Sequence, residues 1–260
     1  MKVMMIGDVV GSPGRRILKE RLASIRSELS LAAVVVNAEN AAAGSGITVP
    51  IANELFAAGA DAITLGDHTW GMKEFSSTIA QLDRCARPAN YPDSAPGKGW
   101  CMVTTPMLRF AVVNLLGRVF MNPIDCPFAA ADRILREIPR DVPVFVDFHA
   151  EATSEKIALA KHLDGRVTAV VGTHTHVQTS DGFVFPGGTA FQTDLGMTGP
   201  WFSSIGRDFK PVLQKFTTGL PARFEVASGP STLEGAVIEF DPATRKALSI
   251  ESYRYREPLK

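Results

Sequence analysis

Val3-Met4-Met5-Ile6-Gly7-Asp8 and Val34-Val35-Val36-Asn37-Ala38-Glu39-Asn40 share one plan: a short apolar run that fits a buried strand, closed by side chains that carry oxygen. Between them Pro13 suits the opening turn of a helix, and Ile17, Leu18, Leu22, Ile25 and Leu29 give that helix one inward face. The rhythm continues with a strand near 61–66 and helices near 49–59 and 72–83. Strands near 2–7 and 33–37 and a helix near 13–29 complete the first half, which predicts βαβ units and a mainly parallel sheet. The Pro- and Gly-rich stretch 87–99 marks a boundary inside the fold. Beyond it, 100–104 and 110–116 read as an antiparallel pair, followed by a helix near 126–138, a strand near 143–148, a helix near 153–164 and a strand near 167–172. The tail reads as a hairpin, 234–241 with 247–255, turning at Asp241-Pro242-Ala243-Thr244. Two sheets stacked face to face and covered by helices accommodate this order, in a single domain over 1–260.

The gross numbers narrow the function classes. A hydrophobic fraction of 45% with 21% charged residues is that of a chain with a large core, far from the composition of disorder. Lys and Arg balance Asp and Glu at 27 each, so no overall basic field exists to hold a long nucleic acid, and a small substrate is expected. The apolar start is too short, and too polar at Gly7-Asp8, for a signal peptide or a membrane span, which predicts a cytoplasmic protein without membrane partners. Cys85, Cys101 and Cys126 show no Cys-x-x-Cys spacing, which argues against a disulfide framework and against a thiolate zinc site. Self-association is left open by the sequence.

Four of the five histidines fall at the ends of strand-like runs: His68 after Leu65-Gly66-Asp67, His149 after Phe145-Val146-Asp147-Phe148, and His174 and His176 in Gly172-Thr173-His174-Thr175-His176. Open α/β sheets build their sites at the carboxyl ends of strands, and imidazole is the commonest nitrogen ligand of transition metals. With Asp8, Glu39, Asn40 and Asp67 they make a mixed nitrogen and oxygen set larger than one tetrahedral zinc requires. Two adjacent ions sharing a carboxylate suit it, and the histidines favour iron, manganese or zinc over magnesium or calcium. In extended chain His174 and His176 project to one side, so that they can reach two different ions.

The blocks Gly7-Asp8-x-x-Gly11, Asn37-Ala38-Glu39-Asn40, Gly66-Asp67-His68-Thr69-Trp70, His149 and Gly172-Thr173-His174-Thr175-His176 resemble the calcineurin-like metallophosphoesterases, and more narrowly their bacterial YmdB-like branch. The resemblance runs through nearly the whole chain. It implies a four-layer α/β/β/α sandwich and a dinuclear centre, iron first, with manganese or zinc as alternatives. It also implies hydrolysis of small phosphodiesters, including 2′,3′-cyclic nucleotides, to nucleoside monophosphates. Carried across, Asp8, Glu39 and His176 hold one ion; Glu39, Asn40, Asp67, His149 and His174 hold the other; His68 stays unligated as proton donor. A water between two cations loses its proton near neutral pH and attacks phosphorus in line, while His68 protonates the departing alkoxide. The family pattern has Gly-Asn-His where this chain has Gly66-Asp67-His68, and the extra carboxylate lowers the net charge of the loaded centre from about +2 to about +1. A phosphomonoesterase or nucleotidase would share the same ligands. A metal-bound regulatory or RNA-interacting protein with little turnover is the reading from another class, and Asp67 makes it more plausible.

Other features are given plainer readings. His162 has no motif and is expected to face solvent, as are Arg15 and Arg16 on their helix, although the arginines could also be aimed at phosphate. Asp147 alternates with Phe148 along its strand and is left outside the ligand set. Trp70, Tyr91, Phe120 and Phe191 are core residues first and base-stacking candidates second. The loop 193–200 is expected at the rim of the pocket.

Overall fold

The computed structural model describes residues 1–259. The first half runs β1 (Lys2–Ile6), β2 (Asp8–Val9), α1 (Gly11–Glu28), β3 (Ala33–Asn37), α2 (Val49–Ala57), β4 (Ala62–Thr64), α3 (Phe75–Thr78) and β5 (Cys85–Ala86). Then come β6 (Trp100–Thr104), β7 (Arg109–Leu116), α4 (Pro127–Glu137), β8 (Val144–His149), α5 (Thr153–Leu163) and β9 (Ala169–Thr173). The chain ends with β10 (Phe183–Val184), β11 (Ala190–Gln192), β12 (Met197–Pro200), α6 (Phe209–Thr218), β13 (Ser231–Phe240) and β14 (Ala247–Arg256).

Two sheets form. One has the order β2-β12-β13-β1-β3-β4-β5 with β14 beside β13, and the other the order β10-β11-β9-β8-β7-β6. Strand alternation explains how they stack. Val3 and Met5 of β1 point away from α1 and pack with Val35, Phe110, Val112, Phe145 and Val171 between the sheets. Met4 and Ile6, one residue out of phase, pack with Ile17, Leu18, Leu22 and Leu55 under α1 and α2. Val144, Val146 and Phe148 do the same on the far side, with Ile134 of α4 and Leu159 of α5. Three cores therefore separate four layers, in the α/β/β/α order that the resemblance implies.

The parallel registers bring the strand ends level. Asn37 pairs with Thr64 at the end of β3 and β4. His149 pairs with Leu116 on one side and with Thr173 on the other. One carboxyl edge thus carries the polar residues of both sheets. The β6–β7 pair and the β13–β14 hairpin are antiparallel as expected.

The helix expected over 72–83 is a correction: only Phe75–Thr78 is α-helical, with a 3-10 turn at Ile79–Gln81. Ser76, Ser77 and Thr78 follow one another, and their hydroxyls bond back to the carbonyls of Lys73, Glu74 and Phe75, which competes with helix propagation. No helix among the described residues is long and apolar enough to cross a membrane.

Candidate metal centre

The eight residues selected from the sequence converge at the shared carboxyl edge. Asp8, Glu39, Asn40 and His149 are buried, and Asp67, His68, His174 and His176 are partly buried around them. Three overlapping groups bring ligand atoms within 4.8 Å of one another: Asp8, Glu39 and His149; Asp67, His149 and His174; Glu39, Asp67 and His68. His149 Nε2 lies 3.1 Å from Asp67 Oδ1, 3.3 Å from Glu39 Oε2 and 3.0 Å from His174 Nδ1. His176 Nε2 lies 3.2 Å from Asn40 Nδ2 and 3.8 Å from Asp8 Oδ1. His68 Nδ1 is 3.0 Å from Glu39 Oε1, and the His68 main-chain N–H also donates to Glu39 Oε2 at 2.9 Å.

Two buried oxygens here, Asp8 Oδ1 and Asn40 Oδ1, have no hydrogen-bond partner among the described residues. Buried polar atoms are nearly always paired, so two orphans beside three carboxylates and four imidazoles fit a cation. Gly66 adds a steric argument. A Cβ there would come closer than 3.0 Å to Glu39 Oε2 and to the His149 ring, so the donors close onto a bare backbone.

The protonation states follow from the crowding. Burial lifts the Asp8 carboxyl to about 7, and the neighbouring Glu39 and Asp194 outweigh part of the attraction to His149. Burial works the same way on Glu39, but His149 and hydrogen bonds from His149 and His68 overcome it and hold the group at about 2. Asp67 is likewise held well below the usual carboxylate range, against its burial, by His149 and His174. His149 stays protonated well above its ordinary value because Glu39, Asp67 and Asp8 surround it despite burial. Its hydrogen bond to Glu39 raises His68, while burial lowers His176.

The two histidines of the 172–176 stretch meet different neighbours, as expected, but by another route. Strand β9 ends at Thr173, and His174 (φ 103°) and His176 (φ 63°) then take left-handed conformations that non-glycine residues rarely adopt. Turning, rather than alternation along an extended strand, sends His174 to His149 and His176 to Asn40.

Asp147, left outside the ligand set, is in none of the donor groups, but it supports them from behind. It faces the same side as His149, two residues on, and lies between the sheets. Its carboxylate accepts from Thr64 Oγ1 at 2.5 Å, Thr173 Oγ1 at 2.7 Å and Asn37 Nδ2 at 2.9 Å, so it joins three strands across both sheets. Thr173 Oγ1 in turn lies 2.9 Å from His149 Nδ1, which fixes the ring. Asn37, Thr64, Thr173 and Glu151, whose carboxylate is 3.2 Å from His174 Nε2, were not singled out from the sequence. A signal existed for three of them: each is a polar residue at the last position of an apolar run, where a buried hydrogen-bonding group must find a partner.

Of the other readings, those of His162 and Phe191 hold and those of Arg15, Arg16, Phe120 and the 193–200 loop change. Arg15 bonds Glu54 and the Ala41 carbonyl, and Arg16 bonds Glu20 and Glu257, so neither is a free solvated cation. The segment 193–200 is buried rather than a rim, with β12 forming a strand of the first sheet. Phe191 is fully buried, Trp70 and Tyr91 stack edge to face, and Phe120 is 88% exposed. His162 is exposed and sits 3.0 Å from Asp132.

The chain is similar throughout to known bacterial proteins. Residues 4–253 match the family model described as YmdB-like protein. A 2′,3′-cyclic-nucleotide 2′-phosphodiesterase of Bacillus subtilis (strain 168) is 48% identical over 252 residues, 96% of each chain. A crystal structure of a hypothetical protein from Thermus thermophilus superposes with TM-score 0.93 at 41% identity, covering 99% of this chain and 100% of that one. A crystal structure titled a novel phosphatase, from Mycoplasma pneumoniae, gives TM-score 0.92 at 35% identity, covering 98% of this chain and 93% of that one. Sequence and fold agree over almost the full length: the chain belongs to the YmdB-like protein family.

Proposed function

We propose that this protein is a metal-dependent phosphodiesterase acting on small phosphodiesters, 2′,3′-cyclic nucleotides among them. The observation that carries the reading is the pair of orphaned buried oxygens, Asp8 Oδ1 and Asn40 Oδ1, beside three carboxylates and four imidazoles. The name of the Bacillus subtilis relative supports the substrate class. In this reading Asp8, Glu39, Asn40, Asp67, His149, His174 and His176 hold two transition-metal ions, iron first and manganese or zinc as alternatives. Such ions, when bound, acidify a water and neutralise charge on the phosphoryl oxygens.

The protein's own groups do the rest. Asp147, through Thr173, keeps the His149 ring in one orientation. Glu151 does the same for His174. His68, with a side chain 40% exposed, stands at the open side of the cluster. Its hydrogen bond to Glu39 raises its pKa, which favours the protonated ring that a proton donor requires. As water oxygen bonds to phosphorus and the bond from phosphorus to the ribose 2′-oxygen breaks, His68 gives that oxygen its proton. The product is a nucleoside 3′-monophosphate.

Protein reconstituted with iron, manganese or zinc is expected to hydrolyse 2′,3′-cyclic AMP and bis-p-nitrophenyl phosphate. Hydrolysis of p-nitrophenyl phosphate alone would transfer the reading to a phosphomonoesterase, and no hydrolysis with any of the three metals would overturn it. Metal binding is also expected to depend on pH. His149 carries a proton well above its ordinary range and Asp8 does so up to about 7, so both must release it before donating a lone pair. Affinity for Mn2+ therefore rises as the pH is raised through about 7, where Asp8 titrates, and goes on rising above it as His149 gives up its proton, with protons released to the buffer. Calorimetry in two buffers of different ionisation enthalpy measures that release, and an affinity flat with pH would contradict it.

A further inference from the structure

Lys156 is fully buried on α5, and its Nζ lies 2.8 Å from Oδ2 of Asp194, which is itself 1% exposed. The lysine plays no part in the site described above. The partners of Asp194 show what the pair does. Asp194 Oδ2 also accepts the main-chain N–H of Thr175 at 3.2 Å, between the two left-handed histidines, and Oδ1 accepts that of Gly196 at 2.9 Å. One residue earlier, the N–H of His174 donates to Asp8 Oδ2 at 3.1 Å. Consecutive amides of the turn are thus held by two different carboxylates. The Gly196 carbonyl accepts from Asp8 N, so Asp194 also reaches the strand pairing that carries Asp8. Gly172 closes the arrangement: a Cβ there would clash with the Thr193 carbonyl and with Lys156 Cδ.

We infer that Lys156 and Asp194 are a positioning pair that holds the His174-Thr175-His176 turn in its left-handed form and so sets the metal affinity of the centre. The inference rests on the metal-dependent reading of that centre. Three reasons support it. Non-glycine residues at positive φ persist only where the surroundings hold them. Among the described residues Asp194 is the only acceptor for the Thr175 amide, and a neutral amide in its place has one oxygen to serve three donors. Finally, both groups are buried, and removing either partner of such a pair leaves an uncompensated charge that the surrounding turn cannot solvate without moving.

The test uses the full chain with Lys156→Met, Asp194→Asn and, as control, Leu163→Ala. Leu163 is fully buried on the same helix, about 10 Å further along it, in the core between α5 and the second sheet. Two quantities are read on metal-free protein: Mn2+ affinity by calorimetry, and deuterium uptake of the segment 172–178. Thermal melting reports stability alongside. Lys156→Met and Asp194→Asn are expected to weaken Mn2+ binding by about 10–100-fold, the range typical for groups that orient metal ligands, and to speed uptake in 172–178. Leu163→Ala lowers the melting temperature but leaves both quantities near those of the parent. Parental affinity and uptake in both pair variants would overturn the inference, as would an equal loss in the control. If the parent itself binds no Mn2+, iron or zinc, the metal-dependent reading fails, and uptake in 172–178 alone decides whether the pair holds the turn.

Discussion

His68→Ala is expected to lower turnover on 2′,3′-cyclic AMP by about 10²–10⁴-fold while metal content stays at the parental level. The structure separates these two effects. Glu39 is held at 2.9 Å by the main-chain N–H of residue 68 as well as by the His68 ring, and the alanine variant keeps that N–H. The carboxylate therefore retains an anchor, while the proton that the departing ribose oxygen requires is gone. A second substrate sharpens the test. p-Nitrophenolate leaves as a stable anion without protonation, so the same variant should lose much less on bis-p-nitrophenyl phosphate. Equal losses on both substrates, or loss of metal, would assign His68 to the ligand set rather than to proton donation.

Gly66→Ala is expected to cost about 10²-fold or more in turnover together with metal affinity. A methyl group at this position enters the space of Glu39 Oε2 and the His149 ring. Neither neighbour has room to move. His149 is fully buried and bonded to Thr173, and Glu39 is 1% exposed and bonded by Asn40 and His68. Displacing catalytic groups by about 1 Å commonly costs about 10²-fold, and two displaced side chains that hold ions add a loss of loading. Elemental analysis of the purified variant beside a kinetic assay measures both. A variant with parental metal and turnover would mean that the centre tolerates relaxation this packing does not allow.

Much of the fold was legible because the governing signals are local. The runs 3–6, 34–36, 145–148 and 169–171 are apolar, short and bounded, and became strands. The segment 72–83 misled because its apolar spacing is helical, while Ser76, Ser77 and Thr78 bond to their own backbone. The short strands β2, β5, β10, β11 and β12 carry no signal of their own; two to four residues become strands only because a neighbour offers a register.

The donor residues were legible for a related reason: a histidine or carboxylate closing an apolar run is conspicuous. Their geometry was not. The turn at His174 and His176 is an unfavourable backbone state, and no spacing rule foresees it. Asp147 gave no sign from its strand of reaching Thr64 and Asn37, because those partners lie 83 and 110 residues away in the other sheet.

By itself, then, the sequence determined the succession of buried strands and covering helices, since short apolar runs alternate with amphipathic ones, and it supplied the roster of polar residues that end those strands; the α/β/β/α order was implied by the family resemblance. Tertiary structure alone decided which of these residues touch. It left Asp8 Oδ1 and Asn40 Oδ1 without partners among the described residues, and it joined Lys156 to Asp194 beneath a strained turn. The physical reason is that desolvation and pairing of buried charge depend on distances set by packing between segments far apart in the chain.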